Sequence, residues 1–127
     1  MTEANLSNRG ALHIGKTVVS EVRKVQSRME AQTIEILMLI AESPNISQKD
    51  LQKHVGINLG SVGRNLDLLG DGNARSEGLG YVVRYDDPAD RRTKRVKLTK
   101  AGEKWLQEYT EALRRAVGQA TAAKKEA

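Results

Sequence analysis

No cysteine and no phenylalanine occur in this 127-residue chain, which has one tryptophan, three tyrosines and two prolines. Without cysteine there is no disulfide framework, no thiol switch and no cysteine-based zinc site. Without phenylalanine the core must be built from aliphatic side chains. So few rings leave little on which single-stranded bases could stack, which argues against an RRM- or OB-type binder. His13 and His54 lie far apart and lack ligand-like companions, so they read as ordinary polar residues, and neither a metal nor another cofactor is expected. The longest apolar run, Ile36 to Ala41, is too short to span a bilayer, and no signal peptide precedes it, so a soluble cytoplasmic protein is expected. No nucleophile–base pair, metal cluster or phosphate-cradling glycine pattern appears. The Gly70-x-Gly72 pair has neither the glycine spacing nor the strand–helix context of a nucleotide site, so no enzyme is expected.

What is present is positive charge. Charged residues make up 29% of the chain and the net charge is +5, which favours an acidic partner such as nucleic acid. Arg84, Arg91, Arg92, Lys94, Arg95, Lys97 and Lys100 stand against Asp86, Asp87 and Asp90 in one short segment. Most of the excess charge is therefore concentrated there, as a footprint for a phosphate backbone requires. Lysine and arginine guarding an edge strand would give the same pattern.

The stretch from Ile46 to Leu69 reads as two short helices around a tight turn. Ser47 and Asn58 are N-cap candidates, because each side chain can accept a backbone N–H left unpaired by the first turn. Gly56 can take the left-handed conformation that ends a helix. Leu51 and Val55 share one face of the first helix, and Val62, Leu66 and Leu69 one face of the second. Gly60, Ser61, Arg64, Asn65 and Leu68 lie on the other side. Helix, glycine turn, helix is the order of a helix-turn-helix, whose second helix can enter a DNA major groove. A purely structural helical hairpin would share these features.

The flanking elements complete the pattern. Residues 1–10 are polar and read as a flexible arm. From Ala11, Val18, Val22, Val25 and Met29 form a helical stripe, widened by Val19. Ser27 to Glu30 is spaced like a capping box between this helix and the next, Gln32 to Glu42, which is apolar on most sides and stopped at Ser43-Pro44-Asn45. Gly70 to Gly80, with four glycines, reads as a flexible surface loop. Tyr81–Tyr85 and Thr93–Leu98 form a hairpin around a polar turn at Pro88. Thr99 caps a long amphipathic helix from Lys100 to Gln119, with a fraying tail beyond it. The terminal helices, 11–30 and 100–119, offer more apolar surface than one small core needs, and the surplus reads as a homodimer interface carrying Val18, Val22, Trp105, Tyr109, Leu113 and Val117.

Residues 11–127 are thus expected to form a single domain, mainly α with a small β-hairpin, with the core at 32–98. At Asp87-Pro-Ala-Asp-Arg-Arg92, followed by Leu98-Thr99 and Gly102, the chain resembles the MarR family of bacterial transcriptional regulators, in which an Asp-x-Arg wing tip leads into a Leu-Thr-x-x-Gly segment. The resemblance implies a winged helix-turn-helix with N- and C-terminal dimerisation helices, a homodimer, a recognition helix in each major groove and a wing arginine in the minor groove. On that basis Ser61, Arg64 and Asn65 are placed to read base edges, Arg92 with Arg91 to enter the minor groove, and Lys94, Arg95 and Lys97 to hold phosphates. Ser47, Asn58, Gly60 and Arg84 are counted with the same surface, and Asp90 with the support of the wing. The expected partner is double-stranded DNA, in a protein encoded by a bacterium, phage or plasmid. A loop as long as Gly70–Gly80 and the glycines of the recognition helix, Gly60 and Gly63, depart from the family pattern. They leave open an adaptor that binds RNA polymerase or a replication protein. With few aromatics to line a pocket, control by a small-molecule effector is in doubt.

Overall fold

Among the described residues the chain forms five helices and three strands, in the order α1 (Asn8–Val25), α2 (Ala31–Glu42), β1 (Ile46–Ser47), α3 (Gln48–Val55), α4 (Leu59–Leu69), β2 (Val82–Asp86), β3 (Lys94–Leu98) and α5 (Lys100–Glu126). The structure, a computed structural model, describes residues 6–126, with side chains through Thr121. Two compact units share the chain: Met1–Met29 with Gln107–Ala127, and Glu30–Leu106.

The second unit is the winged helix. Its core is aliphatic: Ile36, Leu37 and Ile40 of α2, Leu51 of α3, Val62, Leu66 and Leu69 of α4, and Val96 of β3 are fully buried. The apolar stripes read from the sequence are the stripes that pack. The sheet is antiparallel with β3 in the middle, and Val82 pairs with Leu98 while Asp86 pairs with Lys94. The outer strand β1 was not expected. Ile46 and Ser47 pair with Val96 and Arg95, but two residues carry no alternation that periodicity could detect. Asn45, just before it, takes a left-handed conformation at φ 69°, which asparagine tolerates better than most residues.

The helix signals at the centre behave as read. Ser47 Oγ accepts the Asp50 N–H at 3.1 Å, Gly56 ends α3 at φ 77°, and Asn58 Oδ1 accepts the Ser61 N–H at 2.8 Å. The start of α5 explains the Leu98-Thr99-x-x-Gly102 run physically. Thr99 Oγ1 donates to the Gly80 carbonyl at 2.6 Å and accepts the Gly102 N–H at 3.1 Å. A Cβ at Gly102 would lie 2.2 Å from the Tyr81 carbonyl oxygen, so this turn of helix meets the chain entering β2 only through glycine.

In the first unit the N-terminal end of α1 meets the distal part of α5 through small residues. A Cβ at Gly10 would lie 3.3 Å from Ala120 Cβ. Nearby, His13 Nε2 lies 2.8 Å from Gln119 Oε1, a hydrogen bond in the tautomer protonated there. Gly10, Val22, Ala112, Ala116 and Ala120 are buried.

Several expectations need correction. Helix α1 begins at Asn8, not Ala11, because Ser7 Oγ accepts the Gly10 N–H at 3.0 Å and caps it. Residues 8–10 of the expected arm are therefore helical, and residues 1–5 lie outside the described residues. The break between α1 and α2 falls where expected, but no capping box forms: Glu30 is the N-cap and makes no side-chain capping bond. Helix α5 continues past Gln119 to Glu126. The glycine-rich segment 70–80 is folded on itself. Gly72, Leu79, Gly80 and Tyr81 donate main-chain hydrogen bonds to Asp67, Leu68, Gly70 and Leu69. At Gly78 a Cβ would lie 2.0 Å from the Gly70 carbonyl oxygen. These glycines serve close approach between backbones, not looseness. Trp105, expected on the dimerisation surface, is buried in the second unit and stacks on Tyr81 with ring centroids 6.3 Å apart.

Candidate nucleic-acid interface

Helix α4 buries Val62, Leu66 and Leu69 and turns Leu59, Gly60 and Arg64 to solvent. Its first turn is fixed by the Asn58 cap. Arg64 Nη2 donates to Ser61 Oγ at 2.9 Å, one turn back, so the guanidinium is held along the exposed face. Asn65 does not join them. It is only 7% exposed; its Oδ1 accepts the Thr33 hydroxyl at 2.5 Å and its Nδ2 donates to the Ser61 carbonyl at 2.8 Å. The residue expected to read a base instead bolts α4 to α2. Ser47 is likewise buried and spends its hydroxyl on the α3 cap.

The base of the wing is tied to α4. Arg84 of β2 donates to Asp67 Oδ1 of α4 at 2.7 Å and to Asp71 Oδ1 at 3.3 Å. Further along the hairpin, Lys94 pairs with Asp86 across the strands. Arg95 Nε donates to Asp87 Oδ2 at 2.8 Å, and its Nη1 donates to the Asn45 carbonyl at 2.9 Å. The Arg95 hydrogen bond, helped by the Ala89 N–H, holds the Asp87 carboxyl below the usual carboxylate range, and the same pair raises the Arg95 guanidinium. Tyr85 donates its hydroxyl to Asn45 Oδ1, and Lys97 sits over the Tyr85 ring, 5.3 Å from its centroid.

The wing tip is organised by Asp90. Its Oδ1 accepts the main-chain N–H of Arg92 at 3.1 Å, its Oδ2 accepts the Thr93 hydroxyl at 3.1 Å, and its carbonyl accepts the Thr93 N–H at 2.9 Å. Asp90 thus fixes the backbone that carries Arg91 and Arg92, while Asp87 is the acid that holds a guanidinium, that of Arg95. Arg91 and Arg92 are exposed, and neither forms an ion pair among the described residues.

The sequence reading missed three contributors. Asn45 receives bonds from two strands, and only its place after Pro44 hinted at a turn. Thr33 is buried and pairs with Asn65, with no pattern to announce it. Leu59 is 48% exposed although its spacing continues the 62/66/69 stripe, and the one signal for that was its place in the first turn, directly after the cap.

In the first unit, the residues expected at the dimer interface are divided. Val117 is exposed, Val18, Tyr109 and Leu113 are half-buried, and Val22 is buried. The outward side of α1 carries an open groove of about 590 Å³ lined in part by Ala11, Leu12, Gly15 and Val19, with Leu12 68% exposed. Among the described residues no helix is long and apolar enough to cross a membrane.

Solved structures share this fold. A MarR transcriptional regulator from Methanosarcina mazei is 26% identical, with a TM-score of 0.60 over 85% of this chain and 68% of its own. FabT of Streptococcus pneumoniae, in complex with DNA, is 21% identical, with a TM-score of 0.66 over 88% and 76%. MepR of S. aureus, also in a DNA complex, is 17% identical, with a TM-score of 0.67 over 91% and 90%. Among curated protein sequences none matches. The wing with its Asp90–Arg92 tip, the Thr99–Gly102 junction and the helix pair before them all lie on one winged-helix unit, and the family model that matches residues 29–94, more than half of the chain, says which kind it is: the chain belongs to the MarR family.

Proposed function

We propose that the protein is a transcriptional regulator that binds double-stranded DNA sequence-specifically as a homodimer. The observation that carries this reading is the separation of the cations into two groups. Arg84, Lys94 and Arg95 are engaged by acids of the unit itself and build the wing. Arg64, Arg91 and Arg92 project from the recognition helix and the wing tip with no acid partner among the described residues. A cation left exposed and held in place is what a phosphate or base edge requires. FabT and MepR, which share the fold, are described bound to DNA.

In this reading Ser61 and Arg64 meet base edges in the major groove, with arginine able to bond bidentately to guanine. Arg92, with Arg91, enters the minor groove, and Asp90 fixes the backbone that presents them. Lys97 meets phosphate directly. Lys94 and Arg95 reach phosphate only by sharing their bonds with Asp86 and Asp87. Asn58 and Ser47 act as helix caps, and Asn65 positions the helix. The homodimer rests on the exposed apolar residues of the first unit, Leu12, Val19 and Val117, which a twofold partner would cover. Two half-sites then lie one helical turn apart, about 34 Å.

The test is selection of bound duplexes from a random pool, with the mass of the free and bound protein measured alongside. A palindromic preference and a dimer mass are expected. Against the selected duplex, Arg92→Ala should weaken binding and lower the log–log salt slope by about one unit for each phosphate no longer neutralised. A monomer indifferent to every duplex at low ionic strength overturns the proposal.

A further inference from the structure

The first turns of α4 carry an exposed leucine on the flank of the buried stripe and an arginine on the outward side, with two glycines between them. Leu59 and Gly63 are one helical turn apart, as are Gly60 and Gly63 and Gly60 and Arg64, so the glycines run from the leucine to the arginine around the helix. Leu59 is 48% exposed, and a Cβ built at Gly63 would meet nothing within 4 Å. The acid on this side of the helix, Asp67, is held by Arg84 at 2.7 Å, which leaves Arg64 to set the charge of the patch. An apolar side chain next to bare backbone and a fixed cation suits an electronegative surface that carries small apolar protrusions. The major groove is such a surface, and its apolar protrusion is the C5-methyl of thymine.

We infer that Leu59 is a specificity-determining residue that packs on a thymine methyl, in a base step next to the one met by Arg64, with Gly63 giving the base edge room to approach. This rests on the reading of α4 as the helix in the major groove. It adds a requirement for a methyl group that hydrogen-bond readout by Ser61 and Arg64 does not supply.

The experiment uses the intact protein and the duplex it selects. Each thymine of a half-site is replaced in turn by deoxyuridine, which removes the methyl and keeps the base pair. One position should weaken binding of the wild type about four-fold, the equivalent of ~0.8 kcal/mol for one buried methyl group. In Leu59→Ala that same replacement should have no effect, while the salt slope stays that of the wild type, because every phosphate is still neutralised. Wild-type binding indifferent to every replacement, or equal sensitivity in Leu59→Ala, overturns the role of Leu59 and leaves DNA binding standing. Failure of the wild type to bind any duplex is a different result, and it removes the underlying reading together with this one.

Discussion

The hydroxyl of Thr33 on α2 donates to the amide oxygen of Asn65 on α4 at 2.5 Å, and both residues are buried. The bond ties α4 to α2, and the Asn65 amide nitrogen simultaneously holds the Ser61 carbonyl one turn back within α4. Replacing Asn65 by leucine strands the Thr33 hydroxyl without its acceptor. The expected loss is about 1–3 kcal/mol in urea unfolding. Thr33→Val should lose a similar amount, and the double variant less than the two together, since it leaves no polar group stranded. Strict additivity would mean that the pair is not coupled.

Gly63 offers a change whose effects on stability and on binding have opposite signs. Its Cβ position is open, and alanine is favoured over glycine in a helix interior by up to ~1 kcal/mol. Gly63→Ala should therefore raise the thermal midpoint by a few degrees. The same methyl stands where the helix is proposed to approach the bases, so operator affinity should fall. A variant that is both more stable and equally tight in binding would show that the glycine is not there for close approach.

Gly102→Ala should behave in the opposite way in the free protein. The added carbon would sit 2.2 Å from the Tyr81 carbonyl oxygen and 3.1 Å from Leu98 Cδ2, and the first of these is backbone. Either the α5 start or the entry to β2 has to move, at a cost of about 1–3 kcal/mol. Differential scanning calorimetry of Gly102→Ala beside Gly63→Ala compares the two directly. A neutral Gly102→Ala would contradict the close packing of this turn.

The wing carries a pH-dependent element. Asp87 is held below the ordinary carboxylate range chiefly by Arg95. Its contribution to stability is therefore fully present above the ordinary carboxylate pKa of ~3.9 and is lost as the pH falls through the lowered value. A carboxyl-carbon NMR titration should place the Asp87 midpoint below the ordinary carboxylate value. In Arg95→Gln it should move back up towards that value. A wild-type midpoint at or above it would mean that the pair does not form in solution.

Much of this molecule was legible in the chain because its signals are local. Ser47, Gly56 and Asn58 act through residues within one turn of themselves, and they delimit α3 and α4 where periodicity and capping chemistry place them. The wing was legible for a similar reason, since a polar turn between two β-rich runs leaves few alternatives. What escaped depends on partners distant in sequence. Asn65 looks like a base reader on a helical wheel until Thr33, from another helix, is set against it. Ile46 and Ser47 are a strand only because Val96 and Arg95 come alongside. Trp105 lies on a stripe continuous with the terminal helix, and only the position of Tyr81 assigns it to the winged-helix core. The glycines of segment 70–80 were read as freedom, whereas two passes of main chain in contact need them as absences of side chain.

That segment has one more consequence. Four main-chain bonds close its neck, between 67–70 and 72–81, and Asn73 closes the tip by accepting the N–H groups of Arg75 and Ser76. The entry to β2 is thus tied to the end of α4 at the neck, through bonds that involve none of the residues at the apex. A peptide tag or a fluorophore-bearing insertion between Ala74 and Arg75 would ride outside the clasp, which makes this apex a handle for immobilising or labelling the protein with its wing undisturbed.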